Sequence, residues 1–222
     1  MKNSDKLKRY SMFIAGVIFS ALGISLITKA GLGTSPITSL AFVLTFIFPH
    51  SLGEFTMLVN TVMFLIQAAL LGRAFGKVQL LQLPAALLFS ACIDGWMYIL
   101  GFWKTGSYVG QVLMLLLGCV FLGLGIAFEV IPNVLILPGE GLVRVIAGLT
   151  GWRFGLVKTG FDMSIVASAV GVSLFFTGHV LGIREGTVLA ALIVGSISHF
   201  FIEKVSNVLE GWIPAYSDAG DA

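Results

Sequence analysis

The chain has 222 residues, of which 57% are hydrophobic and 11% charged, and its formal net charge is +2. A mean hydropathy of +1.00 leaves too little polar surface to cover a water-soluble globule, so the chain is expected to lie in a bilayer. Its basic residues are divided among loops and form no dense patch, which argues against a nucleic-acid partner.

Long uncharged runs between ionisable residues define the class of membrane protein. A spanning helix needs roughly 20 apolar residues, whereas barrel strands alternate in polarity over about 10. The runs are apolar on every face and favour an all-α fold of about six transmembrane helices in one transmembrane domain, 1–222. They cover residues 10–28, 30–53, 55–72, 105–128, 163–183 and 186–202.

The first span follows four basic residues, Lys2, Lys6, Lys8 and Arg9, which places the N-terminus in the cytoplasm. This span breaks at 31–36, and the apolar stretch 37–48 then measures only about 18 Å at 1.5 Å per residue. Such a stretch is too short to cross, and we call it a half-helix. A second half-helix is predicted at 138–150.

The remaining spans follow in order, with a polar tail that is expected to be flexible and cytoplasmic. Span one ends before the first half-helix, and spans two to six are predicted near 54–72, 78–101, 108–128, 154–177 and 186–204, with the tail at 205–222.

An internal duplication is indicated by a constant offset, since Pro36 and Pro138 lie 102 positions apart. Three glycine pairs share this offset: Gly16 with Gly118, Gly23 with Gly125, and Gly53 with Gly155. The repeats would cover 10–104 and 108–204. Because each would hold three full spans, an odd number, the second copy must be inverted in the membrane, with both termini cytoplasmic.

The openings of the two half-helices are the candidate binding elements. Helix N-termini expose backbone N–H groups and suit an anionic group, and paired broken helices in inverted halves point to a site near the bilayer midplane. The alternative is a glycine turn with positive φ and no ligand. Thr34 or Ser35 is expected to cap the first half-helix, and the two openings are expected to face each other across a cavity. Their residues are Gly33, Thr34, Ser35 and Pro36 in the first, and Pro138, Gly139, Glu140 and Gly141 in the second.

Charged residues in apolar surroundings complete the predicted substrate-binding set. Glu140 and Arg144 are four residues apart, as are Lys158 and Asp162, so each pair shares a helix face. Either the pairs are structural or they bind substrate or protons, because charges in the bilayer are costly and turn inward. We expect Arg144 to balance Glu140 or Asp162. Two further positions complete the set: Asn60, which aligns with Asp162 at the same offset, and Asp94, whose nearby opposite charge in sequence is Lys104.

Motifs of soluble enzymes, metal sites and nucleotide sites are absent from the sequence: it has no G-x-S-x-G, H-E-x-x-H, Walker loop or Cys-x-x-Cys. Cys92 and Cys119 lie in apolar segments and are expected to act as small hydrophobes. We therefore predict no catalytic residues, no metal and no cofactor. Small residues that favour close helix contact include Gly118, Gly123, Gly125 and Gly195.

The stretch Pro138-Gly139-Glu140-Gly141-Leu142, followed by Thr187-Val188-Leu189 and Gly195, resembles the YczE/YitT-like family of small bacterial inner-membrane proteins. The resemblance extends over about 16–201. It implies an integral inner-membrane protein of five or six spans, with no settled activity to carry onto residues. Many members look like partners of neighbouring regulators that sense pyridoxal phosphate, an association that hints at a vitamin or amine solute.

The sequence favours a small secondary transporter or facilitator of a small polar metabolite, anionic or zwitterionic, because a scaffold would not need so many charges in the membrane region. A non-transporting scaffold or regulatory protein is the alternative, and an intramembrane enzyme is weaker because no nucleophile stands beside a base. The expected partners are the lipid bilayer and a small-molecule substrate, and a homodimer is left open.

Overall fold

The computed structural model describes residues 3–103 and 106–209, which form eight α-helices and no strand. This confirms the all-α prediction. Four short 3-10 helices, Pro36–Thr38, Gly72–Ala74, Lys77–Leu81 and Leu100–Phe102, join or extend the α-helices. The α-helices are α1 Asn3–Lys29, α2 Ser39–Ile47, α3 Leu52–Leu71, α4 Gln82–Ile99, α5 Tyr108–Val130, α6 Pro138–Thr150, α7 Phe154–Thr177 and α8 Glu185–Leu209.

Six helices are long and apolar enough to cross a membrane, namely α1, α3, α4, α5, α7 and α8 with their 3-10 extensions. The two remaining helices are the half-helices. The first begins as the 3-10 turn Pro36–Thr38 and continues as α2, while the second, α6, has the predicted bounds. At the C-terminus α8 runs to Leu209, so the predicted tail is helical over 205–209, and 210–222 lie outside the described residues.

Helices α1 and α5 form the centre of the bundle and cross through glycines. A Cβ on Gly16 would lie 2.8 Å from the Gly125 carbonyl oxygen, and a Cβ on Gly23 would lie 2.7 Å from the Gly118 carbonyl oxygen. Since the early glycine of α1 meets the late glycine of α5, and the reverse, the two helices are antiparallel. Their backbones approach too closely for any side chain at these points.

The predicted close helix contact is confirmed for Gly123 of α5 and is not observed for Gly195 of α8. Gly123 lies against α8, where its added Cβ would be 2.5 Å from Ile197 Cγ2. A Cβ added to Gly195, by contrast, would meet no described atom within 4 Å, so Gly195 is not a close-contact position. The partner of Gly123 is Ile197, half a turn beyond Gly195 on α8. The small residues Ser196 and Ser198 on either side of Ile197 do not show in the sequence that the contact falls there.

The two halves of the chain pack in the same pattern. Helix α1 packs on α4 as α5 packs on α8, and each half-helix packs both on the span that follows it and on the corresponding span of the other half. These cross-half pairs are α2 with α7 and α6 with α3. One pair differs, because α3 packs along α4 whereas α7 and α8 hardly touch.

The first half of α1 and the last half of α8 lie at the same end of the bundle. Met12 of α1 belongs to an apolar cluster against which Phe201 and Val205 of α8 pack, and we call this the near end. At the far end, the Gly186 amide donates to the Leu32 carbonyl oxygen at 2.8 Å. The outer faces of α7 and α8 carry exposed apolar side chains, as a surface in contact with lipid requires.

Candidate functional site

The first half-helix opening is closed by hydrogen bonds within the protein. Gly33 has φ +125°, and a side chain there would overlap Thr187 at the start of α8. The fully buried Thr34 donates its backbone N–H to Thr187 Oγ1 at 3.1 Å. The Thr34 hydroxyl lies 2.8 Å from Thr28 Oγ1 and 3.1 Å from Thr38 Oγ1. The polar groups of this opening therefore satisfy one another.

The expected capping of this half-helix is not observed. Ser35 occupies the N-cap position, but its side chain makes no capping hydrogen bond, and the Thr34 hydroxyl bonds to threonines instead. Pro36 opens a 3-10 turn, in which Thr38 Oγ1 donates to the Ser35 carbonyl oxygen at 3.1 Å. Pro36 has no N–H, and in the 3-10 turn the Thr38 N–H donates to the Ser35 carbonyl oxygen at 3.1 Å, so an N–H group that a side-chain cap would bind is already engaged.

The second opening lies beside the first. Pro138, Gly139 and Gly141 are buried at the start of α6. A Cβ on Gly139 would lie 2.6 Å from Ile37 Cδ1 and 3.6 Å from Met63 Sδ. The openings are thus neighbours, but Ile37 fills the space where the sequence predicts a cavity. Ile37 follows Pro36 directly, and the 3-10 turn directs its side chain to Gly139.

Three of the predicted charged residues form one cluster between α6 and α7. Lys158 Nζ lies 2.8 Å from Asp162 Oδ1 and 3.8 Å from Glu140 Oε1, with side chains 22–28% exposed. The expectation that Arg144 balances these carboxylates is wrong. Lys158 faces Glu140 because α7 packs on α6, while Arg144, one turn further along α6, lines a cavity on the other side.

This cavity, of about 230 Å³, lies at the near end between α3, the start of α4, the segment 133–136 and α6. Gln67 and Gln82 line it and are only 2% and 4% exposed, yet their Oε1 atoms have no hydrogen-bond partner among the described residues. Gly141 lies against both amides, since its added Cβ would be 2.8 Å from Gln67 Oε1 and 3.2 Å from Gln82 Nε2. Arg144 is exposed and supplies the charge of the lining.

Sequence reasoning missed the two glutamines because it searched for charge. The available signal was Gln67 itself, the only amide in the apolar run 61–72. Gln82 lies near the start of the predicted span 78–101, and nothing in the sequence places it opposite Gln67. Only the packing of α6 brings the two amides together.

Asn60 and Asp94 belong to neither the charged cluster nor the cavity. The buried Asn60 donates Nδ2 to the Thr56 carbonyl oxygen of its own helix at 2.9 Å. Asp94 accepts from Ser51 Oγ at 2.6 Å and from the Gly53 amide at 2.8 Å, so it holds the start of α3 at the far end. The structure therefore gives Asp94 a structural role, and its contact with a substrate stays a prediction. Lys104, its predicted counter-charge, lies outside the described residues.

Among the residues that the structure describes, no group of three His, Cys, Asp or Glu side chains could hold a metal ion. Both cysteines are free, with Cys119 buried and Cys92 partly buried. The functional groups that line the cavity are side-chain amides and one guanidinium, which can bind a ligand through hydrogen bonds.

Comparison with known proteins identifies a family. Residues 7–203 match DUF6198, a family of unknown function. The chain is 28% identical over 202 residues to the uncharacterized membrane protein YczE of Bacillus subtilis (strain 168), covering 90% of this chain and 88% of YczE. It is 27% identical over 203 residues to the uncharacterized protein YyaS of the same organism, covering 90% of this chain and 94% of YyaS.

No solved structure matches this chain. The match to YczE confirms the resemblance carried by the Pro138–Leu142 stretch and its companions, and the six long apolar helices agree with the membrane character in the name of that relative. With nearly its whole length matched, the chain belongs to the DUF6198 family of membrane proteins.

Proposed function

We propose that this chain is a small secondary transporter or facilitator that moves a small polar metabolite, anionic or zwitterionic, across the bacterial inner membrane. In this proposal the halves 10–104 and 108–204 are inverted repeats, and both termini are cytoplasmic. The near end of the bundle, with the cavity, then faces the cytoplasm.

The inverted-repeat proposal is supported by the crosswise meeting of glycines that share one offset. Gly16 contacts Gly125, the counterpart of Gly23, and Gly23 contacts Gly118, the counterpart of Gly16. A two-fold axis in the membrane plane produces this exchange, because each helix must meet its own counterpart running in the opposite direction. The exchanged packing of α2 on α7 and α6 on α3 agrees with it.

The observation that carries the transport proposal is an asymmetry between equivalent places in the two halves. At the near end the cavity is open beside Leu135, Gln82 and Val145. Their counterparts 102 positions away are Gly33, Arg184 and Val43.

At the far end Gly33 lies against Thr187, and Val43 is completely buried. Arg184 is exposed there, and its Nη1 donates to the Gly31 carbonyl oxygen at 3.0 Å. One end open and its equivalent closed is the arrangement that alternating access requires, since an exchange of the two conformations would open the other end.

A scaffold or regulatory role is the second candidate, and the first half-helix opening favours it. Thr34, Thr28, Thr38 and Thr187 satisfy each other there, so these four threonines are already engaged within the protein. In the transport proposal the same hydrogen bonds form the closed gate. The two candidates therefore differ in whether this end ever opens.

Uptake into proteoliposomes tests the proposal. Purified protein is reconstituted, and the accumulation of a mixture of small carboxylates and amino acids is followed by mass spectrometry against protein-free vesicles. Gly141→Leu fills the cavity and should abolish uptake. Gly148→Leu, in the same helix, should retain uptake, because a Cβ added to Gly148 would meet no described atom within 4 Å. If no compound enters faster than in empty vesicles, the scaffold role replaces transport.

The partner proposals are lipid and a second copy of the chain. Phe175 and Leu192, on α7 and α8, are 83% and 70% exposed and would lie against lipid. The homodimer is proposed without a defined interface. Its test is cross-linking in native membranes, where a single band at the monomer mass would exclude it.

A further inference from the structure

We infer that the cavity beside α6 binds a small molecule that carries both a carboxylate and an N–H donor, of the size of a small amino acid. The inference rests on the proposed function, because the bound compound would be the transported one. It goes further by assigning Gln67 and Gln82 as specificity residues and by giving the substrate two required groups.

The need for a donor in the ligand follows from the two glutamines. Gln67 Oε1 and Gln82 Oε1 are buried acceptors without a partner among the described residues. Buried polar groups are nearly always hydrogen-bonded, because an unmade bond forfeits the solvation that the group had in water. Both residues line the cavity, so a molecule inside it can supply the missing donors.

Gly141 leaves room for the two amides beside α6. A side chain at 141 would press on Gln67 Oε1 and on Gln82 Nε2. A glycine in the interior of a helix lowers its stability relative to alanine, so its presence here needs a reason. The close approach of α6 to both amides supplies that reason, and it sets the floor of the cavity.

The need for a carboxylate follows from the charge of the lining. Arg144 is the charged residue of the lining, which contains no Asp or Glu. Glu140, on the same helix, is engaged by Lys158 and does not neutralise Arg144. A guanidinium donates two parallel hydrogen bonds to a carboxylate, whereas a simple amine would be repelled.

The volume limits the size of the ligand. At about 30 Å³ per water molecule, 230 Å³ holds roughly eight water-sized groups. This volume is too small to enclose a nucleotide. Gln79, whose Oε1 is also buried without a described partner, lines the cavity as well. The combination of one cation, three acceptors and this volume selects small amino acids with separated charged ends.

A matched series of probes tests the two required groups. The full chain, purified in detergent, is titrated with 4-aminobutyrate, butyrate and butylamine, and binding is measured by calorimetry and by the shift in melting temperature. These compounds share one carbon chain and differ only in their end groups. We expect 4-aminobutyrate to bind at least tenfold more tightly than butyrate, and butylamine not to bind.

Variants connect the specificity to the named residues. Gln67→Leu and Gln82→Leu keep the side-chain volume and remove the acceptor, so each should weaken 4-aminobutyrate at least tenfold and leave butyrate unchanged. Arg144→Met should weaken both acids. Gln111→Leu makes the same replacement near Gly31 at the far end, away from the cavity, and should change neither affinity.

Three results would overturn the inference. If none of the probes binds, or if butyrate binds as tightly as 4-aminobutyrate, the amides are satisfied by water and do not select the ligand. If Gln67→Leu and Gln111→Leu act alike, the assigned residues are wrong. Binding without uptake in proteoliposomes would keep the site and reject transport, whereas uptake that is insensitive to Gln67→Leu would keep transport and reject the site.

Discussion

At the scale of single residues, small and uncharged side chains do as much as the charged ones. The offset of 102 positions picked out glycines from the sequence, and the structure uses four of them where α1 crosses α5. What the offset could not predict is that α1 packs on α5, because an inverted repeat gives the directions of the helices but not which helices are neighbours. The charge of Asp94 indicates a substrate contact in the sequence, and the structure shows that its carboxylate holds the start of α3.

Gly23→Ala should destabilise the protein. The added Cβ would lie 2.7 Å from the Gly118 carbonyl oxygen, an obstacle of backbone that cannot rotate away, so α1 and α5 must separate. Overpacking of this kind costs about 1–3 kcal/mol. The expected result is a melting temperature several degrees lower in detergent, measured by tryptophan fluorescence.

Gly171→Ala is the matched control, because Gly171 lies inside α7 and a Cβ added there would meet no described atom within 4 Å. There the alanine should leave stability unchanged or raise it by up to about 1 kcal/mol through the lost flexibility of glycine. Equal melting temperatures for the two variants would show that the α1–α5 contact is not close.

At the scale of helices, the sequence predicted all eight elements but not their mutual contacts. Run length and the positions of Pro36 and Pro138 sufficed for the half-helices, and α6 has the predicted bounds. The partner of Glu140 could not be predicted, because Lys158 lies on another helix and reaches it only after α6 and α7 pack. Spacing within α6 pointed to Arg144 instead.

Lys158→Met should show that this cluster joins α6 to α7. It leaves Glu140 and Asp162 facing each other without a cation, a loss of about 1–3 kcal/mol, because the side chains are 22–28% exposed and less dependent on pairing than fully buried ones. The triple variant Glu140→Gln, Lys158→Met, Asp162→Asn carries no charge there and should recover part of the lost stability. Thermal unfolding of both proteins measures the difference, and a triple variant no more stable than the single one would mean that the pairing contributes nothing.

At the scale of the whole molecule, parity fixes the relation between loops and termini. If all six long helices cross the membrane, the C-terminal helix returns to the near end, where Val205 packs against the apolar cluster of Met12. A reporter inserted at 104–105 and a reporter fused after Leu209 should therefore lie on opposite sides of the membrane. Charge bias places the second in the cytoplasm. Reporters of phosphatase and fluorescence activity distinguish the two sides, and finding both on one side would end the inverted-repeat proposal.

The asymmetry between the two ends was beyond the reach of the sequence. Two repeats with one pattern predict two equivalent halves, yet α3 packs along α4 while α7 and α8 hardly touch. A single chain in one conformation cannot present both halves alike if one end is open. In the proposed transport cycle the open and closed ends would report the conformation, which no periodicity encodes.

Cysteine accessibility tests whether the closed end opens. In a chain with Cys92 and Cys119 replaced by alanine, Val145→Cys lines the cavity, and Val43→Cys occupies the equivalent position at the far end, where valine is completely buried. Both replacements nearly conserve volume, and melting temperatures close to that of the parent would verify the fold.

A membrane-impermeant methanethiosulfonate should modify Val145→Cys rapidly from the side of the N-terminus. It should modify Val43→Cys slowly and only from the opposite side, at a rate set by the minor population with the exchanged conformation. A transported compound that binds the two conformations with different affinities should change the ratio of the two rates. A Val43→Cys protein that resists the reagent from both sides, with and without the compounds that enter proteoliposomes, has a far end that never opens, and its single cavity then serves a receptor or scaffold.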